Sequence, residues 1–304
     1  MLNKIKKYFS YKDLINDSYP AADEHFLNNE EIVALQNVLL EILRDLMEVC
    51  EKNEIKPFLQ GGTLLGKIRH NGFIPWDDDL DIGMCRKDYE NFKKIFDNEL
   101  SDKYILMGPG VKEGARNRFL QMFKIDSYYE TIGDDLDSPK KIYIDIFPID
   151  YAPNNRIIRF VKGHLCNLMM IIASCVEYKK SSRNLNPSLV KGNKRNRINH
   201  LIRIFIGTVF SFRDLNKWYD KLDKKIKRTS KTNYATSATG RKHYLGETLP
   251  ANVFFPLEKS EFCGVETWIP HNSETYLENL YGADYLEIPP ESKREHHYVV
   301  SIKL

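Results

Sequence analysis

Three aspartates and two glycines carry the chemical signal of this sequence. In QGGTLLGKIRHNGFIPWDDDLDIGM (residues 60–84), Asp79 and Asp81 flank Leu80, and Ile82 follows. Side chains on a strand alternate between faces, so Asp79 and Asp81 share one face while Leu80 and Ile82 enter a core. Two carboxylates so placed repel each other unless a cation lies between them. Mg²⁺ and Mn²⁺ favour such hard oxygen ligands and complete their shells with phosphate oxygens. A third acid, Asp145, alternates with Ile144 and Ile146 in YIDIFPID, where an unpaired carboxylate on a core strand is costly. Upstream, Gly61-Gly62-Thr63 opens a helix. A backbone without Cβ admits a phosphate there, and the helix N-terminus favours negative charge. Taken singly, a D-x-D or an acidic turn at residues 77–79 reads as solvated surface. Their conjunction predicts metal-dependent phosphate chemistry, with Asp79, Asp81 and Asp145 as metal ligands and catalytic groups, and Gly61, Gly62 and Thr63 at the phosphate.

Four further positions join the candidate site. Trp76 either stacks on a base or a quaternary ammonium, or anchors its loop beside Ile74-Pro75. Arg69 either reaches a phosphate or, at the end of its helix, satisfies the helix dipole beside His70. Lys124, with Arg118 six residues earlier, has the same-face spacing of a pyrophosphate contact or the ordinary role of a solvated strand lysine. Arg294, His296 and His297 lie near the C-terminus, where histidine either assists proton transfer or sits on the surface.

The surrounding pattern supplies elements able to hold these groups. Asn28 or Asn29 caps a helix that runs from Glu30 to about Asn53, with an apolar stripe at helical spacing. A strand at 57–60 leads into the glycines, a helix follows to His70, and Asn71-Gly72 turns the chain. Strands at 80–84, 104–107, 119–125 and 142–147 and a helix at 86–99 give an α+β (mixed α/β) core. From residue 155 the pattern turns helical, at 157–177, 198–211 and 214–228, and a late helix stops at Gly282. The expected division is an N-terminal basic segment (1–29), a catalytic core (30–150), a helical basic section (151–245) and a C-terminal segment packing on the core (246–304).

A formal net charge of +3 conceals a strong asymmetry. Residues 155–245 hold 21 Lys and Arg against four Asp and Glu, whereas the remainder holds 24 against 38. Such a basic section suits a phosphate-rich partner. It lacks the interleaved aromatics of a nucleic-acid platform, so no nucleic acid is expected. An anionic membrane surface and a plain solvated surface both explain the charge. The apolar run LMMIIASCV at 168–176 falls short of the about 20 residues that a spanning helix needs. It reads as a buried core helix or one lying in a membrane interface. The N-terminus has no apolar stretch long enough for a signal peptide. Five cysteines without C-x-x-C spacing point to a reducing compartment. The expected location is cytoplasmic, peripheral on the inner face of the cytoplasmic membrane.

GGTLLGKIRHNGFIPWDDDLDIGM, followed by RKDYENF and YIDIFPID, resembles the LicD family of bacterial phosphotransferases, to which fukutin-type ribitol-phosphate transferases are related. The resemblance covers residues 30–150 and resumes at 268–297 in WIPHNSETYLENLYGADYLEIPPESKREHH; the basic middle section matches poorly. It implies a nucleotidyltransferase-like core carrying a helical, basic insertion. The family's Gly-Gly turn, D-x-D pair and third strand aspartate fall on Gly61-Gly62, Asp79/Asp81 and Asp145. Sixteen residues separate Gly62 from Asp79, more than nucleotidyltransferases generally have, which places an extra loop at 73–78. The implied reaction is Mg²⁺- or Mn²⁺-dependent transfer of a phosphorylated small alcohol, phosphocholine by default, from a CDP-activated donor to a hydroxyl of a glycan or lipid-linked glycan. The implied products are lipopolysaccharide, teichoic acid or capsule. One of the three aspartates, or Asp78, takes the hydroxyl proton. The alternatives are a nucleotidyltransferase acting on a sugar or lipid-linked substrate and an inactive membrane-peripheral assembly protein.

Overall fold

The computed structural model describes residues 27–115, 117–131, 139–181, 194–290, 294 and 299–303. Most of the N-terminal basic segment, the basic stretch 182–193, and His296 and His297 lie outside them. Helix α1 (Asn29–Lys52) begins at a capping box: Glu31 N–H donates to Asn28 Oδ1, and Asn28 N–H donates to Glu31 Oε2. Such a cap contributes about 1 kcal/mol. Its buried stripe, Leu35, Leu39, Ile42, Leu43 and Leu46, recurs at helical spacing and joins the main core.

Strand β1 (Phe58–Leu59) runs into helix α2 (Gly61–His70). Asn71 ends that helix in the left-handed conformation, and Lys67 Nζ donates to its side-chain oxygen. Strand β2 (Asp81–Cys85) leads directly into helix α3 (Arg86–Glu99), followed by β3 (Tyr104–Met107), β4 (Leu120–Lys124), β5 (Tyr128–Thr131) and β6 (Tyr143–Ala152). Helices α4 (Arg156–Ser181), α5 (Lys194–Phe210) and α6 (Leu215–Ile226) come next, then β7 (Tyr234–Thr236), α7 (His243–Gly246), β8 (Thr248–Pro250) and α8 (Ala251–Phe254). The hairpin β9 (Glu258–Phe262) and β10 (Val265–Ile269), helix α9 (Ser273–Tyr281) and strand β11 (Val299–Lys303) complete the order.

Among the described residues the fold is mixed α/β. A seven-stranded mixed sheet has the order β1-β2-β6-β4-β3, with β7 pairing β6 and β8. Its pairs are antiparallel except β2 with β6. That parallel pair sets two strand beginnings side by side, with Asp81 opposite Asp145.

Two expectations need adjustment. Strand β2 starts at Asp81, so Asp79 sits in the approach to the strand, although Leu80 and Ile82 are fully buried as expected. Strand β6 continues to Ala152 because its last three residues pair with β7. The short pairs β5–β11, β7–β8 and β9–β10 carry no alternation long enough to be read from sequence.

A buried ion network joins the sheet to the helices. Arg86 grips Asp150 of β6 through Nε and Nη2 at 2.9 and 2.6 Å, while its Nη1 reaches Asp223 of α6 at 2.7 Å and Glu90 at 3.1 Å. Burial works against the charge on Arg86, but Asp150 and Asp223 outweigh it and hold the guanidinium protonated. Helix α4 packs on α6 through two apolar clusters that include Met169, Met170, Ile172, Leu222 and Trp218.

Candidate functional site

Gly61 begins α2 at φ +55°, in the left-handed region that glycine enters freely. A Cβ there would collide with Asp81 Oδ2, so the missing side chain is what lets the turn lie against this carboxylate. The turn holds Asp81 from two sides. Gly62 N–H donates to Asp81 Oδ2 at 3.3 Å, and the Asp81 N–H donates to Thr63 Oγ1 at 2.8 Å. Gly61 N–H donates to Tyr276 Oη of α9 at 3.4 Å. These two backbone donors are therefore directed at protein acceptors. What the glycines add is space.

Asp145 stands beside Asp81 across the parallel pair, and across the antiparallel pair it faces Gln121 of β4, whose Nε2 donates to Asp145 Oδ1 at 2.8 Å. Burial pushes the Asp81 carboxyl well above the ordinary carboxylate range; the charges of Asp79 and Asp145 add to it, and the Gly62 N–H opposes them. Asp77 approaches from the loop: a Cβ on Gly62 would stand 3.2 Å from Asp77 Oδ2. Gln36 of α1 fixes that loop by donating to the carbonyls of Ile74 and Asp77 at 3.2 and 2.9 Å.

A cleft of about 440 Å³ opens above this group. Gly61, Gly62, Asp79, Asp81, Glu247 and Tyr276 are among its lining residues, whereas Asp145 is not. Glu247 is buried; its Oε1 accepts from Lys242 N–H at 2.7 Å, while among the described residues Oε2 has no hydrogen-bond partner. Burial pushes the Glu247 carboxyl up to about 7, against the Lys242 N–H and the charge of Arg118. Sequence reading missed Glu247 because the segment around it, GETLP, carries no pattern.

The other sequence-derived candidates divide. Trp76 lines the cleft, with the Arg294 guanidinium 4.1 Å from its ring centroid and His70 edge-on at 6.0 Å. Arg69 also lines it, its Nη1 donating to the carbonyls of Tyr285 and Glu287. Thr63 is buried beneath the cleft and holds the Asp81 backbone. Lys124 lies at the other end of β4, ion-paired with Glu41 of α1 at 2.6 Å, and is not brought to the cleft. Arg118 donates to the Thr239 carbonyl, next to Gly240, which lines the cleft. Asp78 accepts from Tyr129 Oη.

The residues present suit a divalent cation in kind. The donors are carboxylate oxygens whose mutual repulsion a cation relieves. Glu247 Oε2, on a residue that lines the cleft, is buried without a hydrogen-bond partner among the described residues, as expected where a ligand supplies one. Among the described residues no three His, Cys, Asp or Glu side chains form a preformed metal cage. Asp79, Asp81 and Asp145 thus share a charge field, the arrangement suited to Mg²⁺, which takes one or two carboxylates and draws other ligands from water and phosphate.

Residues 54–164 match the family model described as LicD/FKTN/FKRP, nucleotidyltransferase domain. Over 272 residues the chain is 29% identical to the lipopolysaccharide cholinephosphotransferase LicD of Haemophilus influenzae, covering 87% of this chain and 94% of that protein. A 57-residue segment is 39% identical to the human ribitol 5-phosphate transferase FKRP, covering 19% of this chain and 12% of that protein. The family-model match contains both glycines and the three aspartates; Glu247 and Tyr276 lie beyond it.

Proposed function

We propose that this chain, whose residues 54–164 carry a LicD-type domain, transfers phosphocholine or a similar phosphorylated small alcohol from a CDP-activated donor to a hydroxyl of a cell-surface glycan. The observation that carries the reading is the register pair Asp81–Asp145 set against the Gly61-Gly62 turn, within the matched domain. The similarity to a lipopolysaccharide cholinephosphotransferase favours phosphocholine as the group and lipopolysaccharide as the acceptor.

The donor's pyrophosphate would lie over Asp79, Asp81 and Asp145, which are the groups that would hold Mg²⁺ or Mn²⁺. When bound, the cation supplies neutralisation of the phosphate charge and of the departing CMP. The protein's own part is orientation and proton handling. Thr63 and Gly62 fix the Asp81 backbone and carboxylate, and Gln121 fixes Asp145. Trp76, which lines the cleft, suits a quaternary ammonium or a base. Glu247, which lines the cleft, would accept the proton of the acceptor hydroxyl, and a carboxyl near 7 suits a general base at neutral pH. The hydroxyl oxygen bonds to the distal phosphorus, the bond from that phosphorus to the bridging oxygen breaks, and CMP departs.

The test is incubation of the purified chain with Mg²⁺, a deacylated lipopolysaccharide glycan, and CDP-choline, CDP-ribitol or CDP-glycerol in turn. The expected result is acceptor-dependent CMP release with phosphocholine on the glycan. Transfer of the nucleotide itself would identify a nucleotidyltransferase and overturn the reading.

A further inference from the structure

Helix α4 has two unlike faces. Cys166, Met169 and Met170 are buried against α6 and α7, and Gly163 fits so closely on Leu245 that a Cβ would collide with it. On the opposite face Ile157, Val161 and Leu168 are exposed, Ile157 by 74%. Helix α5 lies across the outer side of the later part of α4. Gly207 touches the Cys175 carbonyl so closely that no Cβ fits, and Arg203 packs over the Tyr178 ring beside Ser174. This packing turns Ile202, Phe205 and Val209 away from α4, with Phe205 69% exposed. Helix α5 thus covers one side of the later part of α4, and both helices keep apolar side chains exposed.

We infer that the outer face of α4 and α5 docks this protein on the surface of an anionic lipid bilayer. Isolated exposed hydrophobes are ordinary, whereas a continuous set repeating at helical spacing on two packed helices marks an interaction surface. Charge selects the occupant. On these two helices Arg156, Lys180 and Arg197 are exposed, while Lys162 and Arg203 are turned into the protein; the one acid, Glu177, accepts from Tyr219 Oη of α6. A second copy of the chain would bring the same positive helices together, while anionic headgroups complement them. The aliphatic face suits acyl chains rather than the polar backbone of a nucleic acid. Helix α4 is long and apolar enough to cross a membrane, with 25 residues in that segment. Its inner face belongs to the protein core, however, with Cys166 and Ala173 buried, so it lies on the bilayer and does not span it.

The surface is independent of the transfer chemistry, and its assay needs no donor, acceptor or cation. The full chain is sedimented with phosphatidylcholine vesicles prepared with or without phosphatidylglycerol. Binding is expected with phosphatidylglycerol and weak without it. Arg156→Gln with Arg197→Gln, both exposed, should lower binding by about fivefold per charge. Val161→Glu with Phe205→Glu should lower it by more than about tenfold while circular dichroism stays unchanged. Phe205→Ser alone provides the same comparison if the double variant fails to fold. A wild-type chain that stays in the supernatant with both vesicles overturns the inference. So does a Phe205 variant that binds like wild type, or light scattering that shows a lipid-free dimer abolished by these same substitutions.

Discussion

Asp81 and Asp145 are register partners at the start of the parallel strand pair, so two acids far apart in sequence stand side by side over a glycine turn. Their charges, with that of Asp79, oppose one another in a buried setting. A fold does not keep such a group for stability, because repulsion without a partner is a cost.

Asp81→Asn therefore separates function from stability. Asn keeps an oxygen acceptor for Gly62 N–H and removes one charge. CMP release should fall by at least about 100-fold. The melting temperature without divalent cation should rise, by about 2–4 °C for each kcal/mol of repulsion relieved. Thermal unfolding by circular dichroism beside a coupled CMP assay checks both. Unchanged turnover, or a lower melting temperature, refutes the charge-field account.

Gly61→Ala tests the space beside Asp81. The residue sits at φ +55°, and the added methyl would meet the Asp81 carboxylate. The strain should cost about 1–3 kcal/mol of stability and displace Asp81, lowering transfer as well. Urea unfolding reads the first effect. The idea fails if the variant unfolds at the wild-type midpoint.

Much of this site was legible from residue pattern because binary alternation marks it. Leu80 and Ile82 enter the core, and the acids around them must face elsewhere; the α3 and β3 bounds also coincide with the sequence expectation. Legibility stops where a role depends on tertiary neighbours. Lys124 has the spacing of a phosphate contact, yet Glu41 of α1 claims it. Arg86, at the start of an amphipathic helix, carries no mark in sequence of the buried role it takes when β6 and α6 bring Asp150 and Asp223 to it. Glu247 is a single acid in an irregular segment, and only the tertiary packing brings it to the same cleft as Asp79 and Asp81.

Arg86→Met tests the buried network. It leaves Asp150, fully buried, and Asp223 without their cation. Breaking one partner of such a group costs about 3–5 kcal/mol, visible as a shift of the urea midpoint with little change in slope. Arg86→Lys should recover only part of this, since an ammonium cannot make the two-pronged grip on Asp150. A midpoint within experimental error of wild type for Arg86→Met counts against the network as a stabilising link.

Glu247→Gln yields a pH-dependent result whose sign is fixed. In the folded protein burial raises the carboxyl to about 7 from an ordinary value of 4.5. Between those pH values the folded state holds a proton that the unfolded chain has released, so wild-type stability falls as pH rises through this window. The deficit is complete above about pH 7 and absent below about pH 4.5. Glutamine keeps an oxygen for Lys242 N–H and does not titrate. The variant should therefore gain on wild type as pH rises, by roughly 3 kcal/mol at most, and hold that gain at higher pH. Its CMP release should fall by about 10²–10⁴-fold, the usual contribution of a general base. Urea unfolding across pH 4–9, roughly the range that spans both values, alongside transfer assays gives both readings. Equal loss of stability at every pH would make Glu247 a packing residue, and wild-type turnover in the variant would remove it from the proton path.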